Sequence, residues 1–108
     1  MRTTDLNLTN VSLTNHSIRE LEKISTLEKL IIDEDISLDK NSMKSLSNLI
    51  NLRELYLRGI TISDNALSLL AQNSNLKKLW LINCDFNEHD FRHCIIKMVK
   101  LTMSQIVV

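Results

Sequence analysis

The chain has 108 residues, 44% hydrophobic and 24% charged, with 13 basic and 13 acidic side chains and no formal net charge. That size and balance fit one ordinary globular domain with a modest core. No basic excess or polybasic run exists to release counterions from nucleic acid or to seek an anionic bilayer, so neither partner is expected.

The start, "MRTTDLNLTN", carries no apolar stretch of the secretory kind, and no apolar run nears the roughly 18 residues of a membrane span. Asn7, Asn10 and Asn15 head glycosylation triplets, but without an export signal an intracellular setting, cytoplasmic or nuclear, is expected. Two cysteines ten residues apart, Cys84 and Cys94, are too few for a disulfide-stapled secreted module.

Taken in chain order, the apolar residues repeat. Leu6 and Leu8 alternate as on a strand, followed by Val11, Leu13, Ile18 and Leu21. From Leu27, "LEKLIIDEDISL" gives a second strand, with Ile36, Leu38, Met43 and Leu46 after it. This set falls one position late, which predicts an inserted residue in the "DED" turn. From Leu52, "LRELYLRGITI" gives a third, with Ile60, Ile62, Leu67 and Leu70; from Leu76, "LKKLWLINCDF" gives a fourth, with Cys84, Phe86, Phe91 and Cys94. A fifth copy begins at Leu101 and runs out of chain. The starts at Thr3, Leu27, Leu52, Leu76 and Leu101 are 24 or 25 residues apart, inside the range of leucine-rich repeats.

Each copy pairs a two-residue period with a helical one. Leu55 and Leu57, or Leu79 and Leu81, share one strand face. Phe91, Cys94, Ile95 and Met98 recur as an amphipathic helix of about three turns, and Ser63, Asp64 and Asn87 are candidate N-caps. The fold class expected is α/β: residues 1–108 form a single leucine-rich repeat domain. It would be a short right-handed horseshoe with a parallel sheet on the concave face and helices on the convex one. Its open ends would pair with a partner or self-associate.

The candidate site lies on the sheet's outward face. In register, Tyr56 and Trp80 sit between inward leucines one repeat apart, in a row with Ile31 that Asn7 and Gln105 would end. Flanking rows read Glu28, Arg53, Lys77; Lys29, Glu54, Lys78; and Asp33, Arg58, Ile82. An aromatic centre with a charged rim suits protein binding, so Ile31, Arg53, Glu54, Tyr56, Arg58, Lys78, Trp80 and Ile82 are the expected partner-binding residues. Cross-strand stacking alone would also select Tyr and Trp there.

Catalysis is not expected, and no cofactor is. His89 and His93 share a helix face with Asp90 between them, but a metal needs a third ligand, and "CIIKMVKLTMSQIVV" after His93 offers no His, Asp or Glu. Gly59 is the sole glycine, which excludes a phosphate-cradling loop. Cys84 and Cys94 fall in inward positions and read as small hydrophobes.

At "ITISDNALSLLAQNSNLKKLWLINC" the chain resembles the cysteine-containing repeats of F-box/leucine-rich proteins. Ile62, Ser63, Asp64, Leu67, Leu70, Ala71, Asn75, Leu76, Leu79, Leu81 and Cys84 fill the places of that unit. The resemblance implies a substrate receptor of a ubiquitin ligase. No F-box is seen, since residues 1–26 are taken up by a repeat. The alternative role is a structural subunit or assembly factor of a larger complex.

Overall fold

The computed structural model describes residues 3–73, 75–101 and 105–108, with the backbone alone for 98–101 and 105. Its main feature is a parallel sheet in which five strands follow chain order: β1 (Asp5–Thr9), β2 (Lys29–Asp33), β4 (Glu54–Arg58), β6 (Lys78–Ile82) and β7 (Gln105–Val107). Two short strands, β3 (Ser37–Leu38) and β5 (Thr61–Ile62), pair with each other in parallel beyond the main strands. Parallel neighbours need a crossover, and helical segments supply it. These are α1 (Asn15–Glu20), α2 (Lys40–Ser47), a 3-10 helix at Leu67–Gln72, and α3 (Glu88–Leu101).

The sequence spacing reappears as strand register. Asp5 stands opposite Lys29, Lys29 opposite Glu54, and Glu54 opposite Lys78. Ser37 and Thr61, the first residues of β3 and β5, are opposite each other at 24 residues although their main strands are offset by 25. The inserted residue therefore lies between residues 33 and 37, where the "DED" turn predicts it.

Alternation does the sorting. Leu30, Ile32, Leu55 and Leu57 are fully buried, and Leu79 and Leu81 nearly so. They meet Ile18, Met43, Leu46, Leu67 and Leu70 from the helical layer. The residues between them in the strands face away from this core and stay partly exposed. Burial fades towards β1, where Leu6 and Leu8 are only partly covered and Val11, expected among the inward set, is 41% exposed. Among the described residues no strand lies beyond β1 to cover it.

Two expectations need correction. The segment after β5 is a 3-10 helix, not α, and neither Ser63 nor Asp64 caps it with its side chain: Ser63 contributes only its backbone carbonyl, which accepts from Ala66 N–H. Asn65, in the left-handed region at φ 63°, tightens that turn. Secondly, α3 runs 14 residues to Leu101, and β7 begins at Gln105 rather than two residues after the leading residue as in the other copies. The extra length shifts β7 by two residues, and Val107 rather than Gln105 stands opposite Trp80. The side chain of Met98, expected on the inward stripe of α3, lies outside the described residues. Of the other candidate caps, Asn87 does cap α3, its Oδ1 accepting from Asp90 N–H at 3.0 Å. Asp39 caps α2 by accepting from Ser42 N–H at 2.8 Å, and that bond, first among several causes, holds its carboxyl below the usual range.

Three strands end on a residue in the left-handed region: Asn10 at φ 59°, Gly59 at 71° and Asn83 at 51°. Asn and Gly are the residues that reach this conformation at least cost. A Cβ on Gly59 would find room, its nearest neighbour being the Glu34 carbonyl at 3.8 Å. Gly59→Ala is therefore expected to cost about 1 kcal/mol by backbone strain alone. Gly59→Asn should cost less. Thermal unfolding of the two variants checks this; equal loss in both would make crowding, not φ, the cause.

Candidate functional site

The sheet face turned away from the helices carries the chain's one tyrosine and one tryptophan. Tyr56 on β4 and Trp80 on β6 stand directly opposite each other in register. Their rings stack with centroids 4.0 Å apart and planes inclined by 6°. The strand spacing of about 4.8 Å sets this separation. Lys29, from β2, places its ammonium 5.3 Å from the Tyr56 ring centre, close enough for cation–π attraction. One flank of the pair is thus occupied by a cation.

A shallow hollow of about 210 Å³ opens beside the stack, lined by Ile31, Asp33, Tyr56, Leu57, Arg58, Trp80 and Ile82. Small-molecule sites usually measure about 300 to 1,000 Å³, so this one has room for a single large side chain. Five expected residues, Ile31, Tyr56, Arg58, Trp80 and Ile82, therefore come together. The other three do not line it. Glu54 and Lys78 pair with each other at 3.8 Å, partly exposed, an interaction worth about 0–1 kcal/mol. Arg53 precedes β4 and is exposed; its carbonyl accepts from both Lys77 N–H and Lys78 N–H. Asp33 and Lys29 belong to the site although only their rows, not their roles, were read from the sequence.

Asp33 is the carboxylate of the hollow, opposite Arg58 in register. Among the described residues no ion pair joins them. Among the described residues Arg58, which is exposed, makes no side-chain hydrogen bond or ion pair.

The stretch "HDFRHC" splits differently. His89 and His93 are exposed on α3, whereas Asp90 is 5% exposed and turned into the protein. Its Oδ2 accepts from the N–H of Leu67, the first residue of the 3-10 helix, at 3.0 Å. The side chain between the histidines is committed to the backbone of the preceding unit. Among the described residues no three His, Cys, Asp or Glu side chains converge to hold a metal.

The thiols are inward and engaged. Cys84 Sγ donates to the Leu57 carbonyl at 3.2 Å, and Cys94 Sγ to the Leu67 carbonyl at 3.4 Å. They are not joined to each other. Burial pushes both pKa values up, that of Cys94 to about 12 with the Asp90 charge adding to it. A thiol so raised is a poor nucleophile at neutral pH.

No protein-family model matches the chain, and no curated protein does either. Among the described residues no helix is long and apolar enough to cross a membrane.

What sequence reading missed is the set of asparagines that tie one unit to the next. Asn51 Nδ2 donates to the Ser25 carbonyl at 2.7 Å, and Asn75 Nδ2 to the Ile50 carbonyl. Asn73 Nδ2 donates to the Leu49 carbonyl at 2.9 Å. Asn15 donates to the Ser37 carbonyl and accepts from Asp39 N–H and Ser42 Oγ. The signal was present: Asn51 and Asn75 each precede the first leucine of their repeat.

Proposed function

We propose that the chain is a leucine-rich repeat solenoid, a short right-handed horseshoe, serving as a non-catalytic protein-recognition module whose partner sits on the open sheet face. The observation that carries this is the Tyr56–Trp80 stack, placed outside the core beside a hollow with an arginine at its wall. Aromatic and arginine side chains dominate binding energy in protein interfaces. The raised thiols and the inward Asp90 favour binding over chemistry. Its most specific form is the substrate-recognition part of an F-box-type ubiquitin ligase receptor, which rests on the likeness of residues 62–84 to that family's repeat. An intracellular setting accords with two cysteines that remain thiols.

A second reading, a structural subunit or assembly factor, draws on the β1 edge. Leu6 and Leu8 are incompletely covered there, and Val11 is 41% exposed, so a partner's strand and helix would extend the same core.

A tagged pull-down from extract, identified by mass spectrometry, separates the two. Wild type is run beside Tyr56→Ala/Trp80→Ala, the double variant having unchanged circular dichroism. Capture by wild type and loss in the variant is the expected result, with ligase adaptor proteins co-captured if the receptor form holds. Equal capture by both would move the site to the edges.

A further inference from the structure

We propose that the occupant of the open sheet face is an acidic peptide segment, with one large apolar side chain seated in the hollow and a nearby carboxylate held by Arg58. The inference rests on the reading of that face as a docking site and adds the chemistry of what docks.

The argument begins with which surfaces the rings leave available. Tyr56 and Trp80 cover each other's facing sides at 4.0 Å, and Lys29 lies over Tyr56. What remains beside them is the wall of a hollow whose apolar lining comes from Ile31, Trp80 and Ile82 as well as Tyr56. A stacked pair that presents its edges grips an aliphatic or aromatic side chain entering from above. With both faces of Tyr56 engaged and Val107 standing opposite Trp80 on the β7 side, little ring face is left for a planar base to stack upon, which nucleic-acid platforms require.

Charge gives the second half. The chain as a whole is neutral, but the outward side chains of β2, β4 and β6 are not. Lys29, Arg58 and Lys78 stand against Asp33 and Glu54 there, and Lys78 is met by Glu54 at 3.8 Å. Among the described residues Asp33 is the one carboxylate in the hollow, and it makes no ion pair there. That leaves the Lys29 ammonium and the Arg58 guanidinium against Asp33; Asp5 on β1 stands opposite Lys29, and Glu28, Arg53 and Lys77 form the row just before the strands. Taken together the face sets five cations against four carboxylates, an excess of one positive charge around its apolar centre. A guanidinium that has no partner among the described residues, at the rim of a hydrophobic hollow, is a ready bidentate holder of a carboxylate. An acidic partner gains from this excess, and a basic one meets Lys29 and Arg58 as like charges.

The test is selection from a random twelve-residue peptide library displayed on phage, followed by titration of synthetic copies of the enriched peptides. Trp80, as the sole tryptophan, reports binding by its fluorescence. The expected result is a pool in which acidic residues flank an apolar one, with binding lost in Tyr56→Ala. Arg58→Glu should weaken those peptides at least about tenfold and recover affinity for versions with the acidic residues changed to lysine. An enriched pool that is neutral or basic, yet still lost in Tyr56→Ala, overturns the acidic assignment and leaves the docking face standing. No enrichment, or peptides indifferent to Tyr56→Ala, overturns both.

Discussion

Leu57→Ala is expected to lower the unfolding free energy by about 3 kcal/mol, within the range of about 2 to 5 kcal/mol for buried leucines. Leu57 is fully buried and lies in register between Ile32 and Leu81 on the central strand. No neighbour can move to fill the space without leaving its own place in a parallel ladder. Urea unfolding would show a midpoint lower by about 1.5 M at a slope of about 2 kcal/mol per M. The adjacent Tyr56→Ala provides the contrast. It removes a stacking contact on the open side, worth about 0.5–1.5 kcal/mol, and leaves no internal cavity. If the two variants lose equal stability, Tyr56 belongs to the core and the division of the sheet into a packed side and an open side fails.

The second large effect belongs to Asp90. Asp90→Ala strips the buried Leu67 N–H of its acceptor, and leaving such a donor unsatisfied beside a lost charged hydrogen bond costs about 2 kcal/mol. Asp90→Asn, which retains an oxygen to accept the bond, should lose about half as much. His89→Ala and His93→Ala, both exposed, should stay within about 0.5 kcal/mol of wild type. Chemical denaturation of the four variants gives the ranking. Equal losses at His89 and Asp90 would return the three residues to a shared role.

The lateral order of the strands was legible because it depends on a repeat of apolar residues that periodicity exposes directly. Leu30, Leu55 and Leu79 fall at one template position and are neighbours in the sheet. The insertion near Glu34 could be read because a counting mismatch survives in the sequence on both sides of it. The last strand was misplaced because α3 ignores the template and runs on to Leu101; helix length is set by how many turns pack, and no apolar spacing marks the stop. The 3-10 segment at Leu67–Gln72 escaped for a related reason. "LSLLAQ" has good helix formers, but its start is fixed by a carboxylate 23 residues away, which no local pattern reveals. In the candidate site, the opposition of Tyr56 and Trp80 followed from register alone. The hollow, the unpaired Arg58 and the position of Lys29 over a ring depend on side-chain rotamers and had to be seen.

The tethers between units have a kinetic meaning. Strand neighbours in the main sheet are 24 to 27 residues apart, and the asparagine bonds to backbone carbonyls reach 22 to 25 residues or one more. β1 and β7 form opposite edges of the sheet, and among the described residues nothing fastens one to the other. Growth of the native state is then a relay: a central pair must close its loop first, and each later unit docks on a finished template at the cost of ordering only itself. Loss runs the other way. Amide exchange should quicken from β4 outward, and an end can fray while the middle keeps its protons.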